Sequence, residues 1–329
     1  MKHLVLAIPL LLVAQPLAAQ VDFLTDNGRY DAVTINGVVL PVRDVQQMLA
    51  AGLLRLDPVT HRFAMGVTSE AQFLAGLRKL PLQNPMAPRD LYRSSKIALP
   101  NGAAHELTVP SGFGPMHFSS TLPAIVLSAS LGGVSRVPYT AAPDGALGFG
   151  LSFGNAFDGL GASVMMSFND LTQLGNSKRI SWGGAVSHYL SDGVFVAFGG
   201  ENLFVTHTDG QASFYLAGSW AFDAQHSHMP FDGLLTVGAG NGRFSDQTPR
   251  DVVEGKTAHG TGLFGSLAWE ATPQLNVITE WNGRNLNAGL GYTLAKTGVT
   301  LKLGVEDLTR FSGNGPIITG SVGMALARF

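Results

Sequence analysis

The sequence predicts a mainly β chain: an antiparallel transmembrane β-barrel of about 12 strands over residues 105–329, preceded by a small α/β segment over residues 20–104. Three observations predict it. From about His105 onward, apolar side chains alternate with small or polar ones in stretches of eight to twelve residues. A period of two belongs to strands, and these stretches match the ~9–11 residues of a tilted membrane-crossing strand better than the ~5–6 of a globular one. The non-apolar face is mostly Gly, Ser, Ala, Thr and Asn, which coats a soluble barrel poorly but lines a lumen well. Finally, 41 Gly in 329 residues is about 12%, and only 13% of residues are charged; average proteins have ~7% Gly and ~25% charge.

The same arithmetic excludes other classes. A 45% hydrophobic chain is too apolar for intrinsic disorder. A formal charge of -2 and a pI near 6.5 leave no basic face for nucleic acid. With no Cys there is no disulfide framework, thiolate metal site or Cys nucleophile.

Taken in order, Lys2 and His3 precede an apolar run from Leu4 to Val13, and Leu17-Ala18-Ala19 supplies small residues before Gln20. This predicts a signal peptide over 1–19 with cleavage at Ala19/Gln20, because the run is too short to span a bilayer. In residues 20–104, Val42, Val45, Leu49, Leu53 and Leu56 follow Pro41 at helical spacing and predict a first helix. Ser69-Glu70-Ala71-Gln72 opens a second before Pro81, and Asp57-Pro58-Val59-Thr60 between them reads as a turn. This periplasmic segment, or plug, has 9 basic and 7 acidic side chains, 9 − 7 = +2. Pro81, Pro85, Pro88 and Pro100 mark a linker.

The strand windows fall near 124–132, 145–153, 159–168, 178–190, 193–201, 211–222, 231–240, 261–270, 274–282, 285–294, 298–307 and 317–327. Leu147, Phe149, Leu151 and Phe153 alternate with Gly148, Gly150 and Ser152; Leu286, Ala288, Leu290, Tyr292 and Leu294 alternate with Asn287, Gly289 and Thr293. Glu201, Glu280, Arg284, Lys302 and Glu306 are the candidate lumen-lining charges. Trp182, Trp220, Trp269 and Trp281 share the apolar parity and are the candidate aromatic girdle. The even strand number suits a closed bacterial barrel, and the lipid-facing parity places it in an outer membrane.

Two features lie at a larger scale. Gly193 to Leu203 aligns without gaps on Gly298 to Leu308, 105 residues later, each a strand ending in Glu-Asn/Asp-Leu. Phe329 is a terminal Phe of the kind outer-membrane barrels use as an assembly signal, although Val322, Met324 and Leu326 set the opposite parity.

These features resemble outer-membrane β-barrel proteins over about residues 120–329. Asp144 to Asn155 together with Gly200-Glu201-Asn202-Leu203 resemble a group of bacterial β-rich exported proteins. Glu280-Trp281-Asn282-Gly283-Arg284-Asn285-Leu286-Asn287-Ala288-Gly289-Leu290 is similar to a strand-turn-strand signature of YjbH-type barrels. The resemblance implies outer-membrane lipid and the barrel-assembly machinery as partners, with envelope or polysaccharide-export proteins as further ones.

The chain reads as a non-enzyme. His226 and His228 near Asp223 and Asp232 look like a solvated loop, and Asp246 to Glu254 lacks the alternating ligands of a Ca²⁺ loop. His117-Phe118-Ser119 is similar to the His-x-Ser pair of a lipid A deacylase, but no acid is placed beside it. No cofactor or metal is expected. The expectation is a porin-like channel for small solutes. Residues 105–329 carry 11 basic and 16 acidic side chains, 11 − 16 = -5, which favours cations if the acids line the pore. The alternative is an accessory barrel that anchors its N-terminal segment beside an envelope or exopolysaccharide export machine.

Overall fold

The computed structural model describes residues 21–26, 29–35, 38–56, 63–84, 88, 91, 104–113, 125–154, 156, 159–173, 179–191, 193–205, 211–222, 229–247, 249–257, 259–272, 274–294, 297–311 and 315–328. The signal peptide, the Asp57–Thr60 turn, His117–Ser119, His226, His228 and Phe329 lie outside them. The chain forms two compact units, Met1–Ser95 and Lys96–Phe329.

In the first unit, β1 (Val21–Asp26), β2 (Arg29–Ile35) and β3 (Val38–Pro41) form an antiparallel sheet in that order. Helix α1 (Val42–Ala50) starts directly after Pro41, which stands at the N-cap and brings no amide of its own to be satisfied. It ends earlier than the spacing predicts. Ala51, Gly52 and Leu53 cap it through bonds to Gln47, Leu49 and Met48, with Gly52 at φ +69°, and the chain leaves as β4 (Leu54–Leu56) to pair with β5 (Phe63–Met65). Leu53 still joins the core with Val45, Met48, Phe73 and Leu77, whereas Leu56 is exposed. Helix α2 (Glu70–Leu77) is capped by Ser69, whose hydroxyl accepts from the Gln72 amide at 3.3 Å. Asp44, fully buried, accepts from the amides of Gln83 and Asn84 at 2.8 and 3.0 Å, which replace its lost water.

The second unit is a closed antiparallel barrel of 12 strands. They are β6 (Val126–Val134), β7 (Asp144–Gly154), β8 (Gly161–Asn169), β9 (Ile180–Ser191), β10 (Val194–Leu203), β11 (Ser213–Phe222), β12 (Gly233–Gly240), β13 (Leu263–Thr272), β14 (Leu275–Trp281), β15 (Leu286–Leu294), β16 (Val299–Glu306) and β17 (Ile317–Arg328). Each pairs with its sequence neighbour, and β17 closes on β6 from Thr319↔Val134 to Arg328↔Val126, so no edge is left unpaired. One rim, the short-turn rim, holds the connections 192–193, 273–274, 295–298, 155–160 and the longer 223–232, and also the start of β6 and the end of β17. The other, the loop rim, holds 135–143, 170–179, 204–212, 241–262 and 307–316, with the short 282–285 among them.

The alternation sorts the faces. Leu303 and Leu216 are each 60% exposed and Phe198 is 56%, all pointing outward, while Ser219, Thr236, Ser266, Asn276, Glu280 and Asn287 are buried inward. Phe222 keeps the outward parity yet is buried, because Trp220 and Phe231 pack over it with ring centroids at 5.2 and 5.7 Å. The inner face is not small and polar throughout, as the alternation suggests: Phe195, Leu234, Phe264 and Ile278 point inward and are fully or almost fully buried. The cause is packing material that the strand pattern does not reveal.

Both copies of the internal repeat have the same backbone course. Gly193 and Gly298 enter β10 and β16 at φ +79° and +65°, and Asn202 and Asp307 leave them at +52° and +57°. Gly, Asn and Asp are the residues that tolerate this left-handed region. At the other end of the wall, a bulge between Ala325 and Ala327 shifts the register of β17, so that Arg328 pairs with Val126 on the parity of Ser128 and Ser130.

Candidate functional site

A strap of the chain, residues 104–113, lies inside the barrel. Its first limb begins at Ala104, whose carbonyl accepts from Asn276 Nδ2 at 3.0 Å and rests on Gly291, where a Cβ would lie 2.3 Å from that oxygen. Asn276 and Gly291 are near the short-turn rim; Glu280 is four residues further along β14, or roughly 13 Å. The strap covers that rise by Thr108, as an extended chain must.

Glu280 fastens the top of the strap. Its carboxylate is 1% exposed and accepts from the amides of Leu107 (2.9 Å), Thr108 (2.9 Å) and Val109 (3.1 Å), from the Thr108 hydroxyl, and from Asn287 Nδ2 (2.9 Å). Three successive amides aimed at one carboxylate make a backbone anion nest, which compensates a charge that would otherwise be costly to bury. Lys302 Nζ donates to the Leu107 carbonyl at 2.9 Å, and Arg243 Nη2 donates to the Thr108 carbonyl at 2.7 Å. The Leu107 side chain fills the notch left by Gly289 and Gly304.

The second limb descends along β10 and β11. Gly112 N donates to Ser219 Oγ at 2.8 Å, Ser219 Oγ meets Thr236 Oγ1 at 2.6 Å, and Thr236 donates to Glu106 at 3.0 Å, so one hydroxyl chain ties the two limbs together. Phe113 stacks on Phe195 at 4.2 Å and 29°. Gly112 is required by the close approach: a Cβ there would meet Ser219 N at 2.5 Å and Phe195 O at 2.7 Å, both backbone atoms that cannot turn aside. Gly112→Val therefore expels this limb. Limited proteolysis of the folded variant is expected to cut within 104–113, where wild type resists, while the barrel keeps its heat-modifiable gel migration.

The long connection 241–262 closes the opposite end of the same wall. Arg243 pairs with Glu201 (Nε to Oε2, 2.6 Å) and covers the ring of Phe244 at 4.3 Å; Phe244 stacks on Phe264 at 4.5 Å and meets Tyr215 edge-on. A short helix, α3 (Pro249–Val253), carries Asp251, which is 2% exposed, pairs with Arg284 and accepts from the Tyr139 hydroxyl. Burial first, and then that carboxylate, push the Tyr139 phenol well above its ordinary pKa, so it stays a donor. Asp251 is thus committed to an ion pair within the acidic stretch 246–254.

The packing is one-sided. On β10–β15 the inward side chains are mostly buried beneath the strap and this connection. On β6, β7, β8 and β17 the inward positions include Ser128, Ser130, Ser152, Ser163, Ser167 and Ser321 with intervening Gly, and most keep solvent exposure; Met165 points inward and is 44% exposed.

The sequence-predicted charges fall in four places. Glu280 and Lys302 hold the strap, Glu201 holds Arg243, and Glu306 is half-buried on the inward parity of β16 beyond Gly304. Arg284 sits in the 282–285 turn at the loop rim, with Phe311 under its guanidinium at 5.4 Å; it pairs with Asp251 and is not on the strand wall. Trp182 and Trp281 lie toward the loop rim, and Trp220 and Trp269 toward the short-turn rim; Trp281 Nε1 donates to Thr261 at 3.2 Å. The strap and Arg243 were missed. The alternation read from about His105 does not hold there: the first strand begins at Val126, and within the strap the local signal is Pro110-Ser111-Gly112, a turn sequence with no indication of what surrounds it.

No protein-family model and no curated protein matches the chain. Solved structures similar to it include outer membrane phospholipase A from Escherichia coli, at 13% identity and TM-score 0.37, covering 61% of this chain and 90% of that one. The Rh. blastica porin matches as a mutant at 11% identity and TM-score 0.30, over 61% of this chain and 99% of that one. Pseudomonas putida OprB matches at 10% and 0.27, over 62% and 93%. The fold of this chain is the closed 12-stranded antiparallel barrel described above.

Proposed function

We propose that the chain is an outer-membrane channel for small solutes, exported by its N-terminal leader, with the short-turn rim in the periplasm. The observation that carries this is the one-sided lumen: Ser130 and Met165 point inward yet remain exposed, while the facing wall is packed by the strap. The apolar outer belt with Trp toward both rims supports a membrane setting, and the orientation is supported by connection length: three of five on one rim have four residues or fewer, and five of six on the other have nine or more. In this reading the acids do not coat the path as a cation filter. Glu201 and Glu280 are engaged by Arg243 and the strap amides, so solutes meet mainly serine hydroxyls and glycine backbone.

The test is planar-bilayer recording of the purified full chain. Small, steady unitary conductance is expected, and silence over a wide voltage range would sink the reading. Release of fatty acid from the surrounding phospholipid would redirect it to an enzyme. A second reading, an accessory barrel of an envelope or exopolysaccharide export machine, is favoured by the strap itself, whose fastening at Glu280 secures the chain that precedes it. A co-purifying envelope protein lost on deletion of 20–95, together with a silent barrel, would select it.

A further inference from the structure

We infer that the wall around Glu280 is a binding site for a peptide segment that bends through a backbone anion nest, of which the strap is the resident ligand. This rests on the channel reading, since it makes the strap a removable occupant of the lumen. The site addresses many main-chain atoms of one short segment. Glu280 takes three successive amides, Lys302 and Arg243 each donate to a carbonyl, Asn276 donates to a third, and Ser219 takes the Gly112 amide. Donors and acceptors are therefore spaced to match a main chain running from the short-turn rim toward the loop rim. Side chains are read as well: the Gly289/Gly304 notch takes Leu107, the Phe195 ring takes Phe113, Glu280 takes the Thr108 hydroxyl, Thr236 meets Glu106, Ser219 meets Ser111, His105 lies 3.8 Å from Glu270, and Val109 packs in the cluster of Tyr215, Phe244 and Phe264.

The fastening is also exchangeable. A plug held by apolar burial alone leaves a wall that water cannot satisfy, whereas Glu280, Lys302, Arg243 and Asn276 are strongly hydrated once water enters. A hydrogen bond exchanged for one to water changes little net. Another segment able to bend so that three successive amides meet Glu280, with carbonyls at the positions of Ala104, Leu107 and Thr108, would take the strap's place.

The experiment uses the full chain with residues 104–113 replaced by a Gly/Ser run of equal length, and a synthetic peptide of the strap sequence added in trans. Calorimetry is expected to show saturable binding, and the peptide is expected to block the enlarged conductance. Two controls are decisive. Esters in place of the amides at Leu107 and Thr108 should weaken binding at least about tenfold, as should Glu280→Gln in the barrel, because each removes or opposes a charge-assisted bond of ~1.5–3 kcal/mol. Equal binding of the ester peptide, or no binding by the parent peptide, overturns the inference. A barrel that binds the peptide yet never conducts leaves the site standing and overturns the channel reading alone.

Discussion

Glu280→Gln in the full chain is expected to unfasten the strap and raise the unitary conductance several-fold. The carboxylate accepts from three backbone amides and a hydroxyl at 1% exposure. Gln has one acceptor oxygen where Glu has two, and its amide nitrogen would face donors. Each amide left buried without a partner costs ~1–3 kcal/mol, so two or three together offset what Leu107 and Phe113 contribute by burial. The strap gains by leaving for water, and the lumen widens by the width of an extended chain. Arg243 and Lys302 then lose their carbonyl partners, so the charge near the path becomes more positive and the permeability of anions relative to cations should rise. Bilayer recording across a salt gradient reads both effects. An unchanged conductance with the strap still protected from protease would show that Glu280 does not hold it.

Leu303→Arg is expected to destabilise the barrel by ~2–4 kcal/mol, while Ser130→Arg leaves stability nearly unchanged. Leu303 is mid-strand on β16, 60% exposed on the outer wall, between Leu290 and Gly320. An arginine there must sit in hydrocarbon or drag water in. Ser130 lies on the opposite parity, exposed on the inner wall between its strand neighbours Gly148 and Gly323, so its arginine keeps its hydration and narrows the path instead. Urea unfolding in lipid vesicles measures the first effect and conductance the second. Equal destabilisation by both variants would mean that the outer belt does not meet lipid.

The barrel was legible because its information is local. All 12 windows overlap a strand, with most limits displaced by one to three residues, because a strand with one face in lipid and one in a lumen must alternate along its own length. Ser69 likewise marks its helix from a single position, since the cap that satisfies the Gln72 amide is four residues of sequence. Helix α1 shows where local reading fails: Leu53 and Leu56 keep the helical spacing, but a capping turn and the pairing of β4 with β5 outweigh one more turn of helix.

Residue order alone therefore pointed to a barrel of about 12 strands with an outward apolar parity, and singled out Glu201, Glu280, Arg284, Lys302 and Glu306 as candidate lumen charges. What those charges do was settled by distance in space. Glu280 meets Leu107 across 173 positions and Lys302 meets it across 195, and no periodicity records such a pairing. An inward carboxylate reads the same in sequence whether it faces water, an ion or three amides. Only closure of the barrel around residues 104–113 decides that it holds the chain's own backbone, because burying that charge is tolerable only where those amides arrive with it.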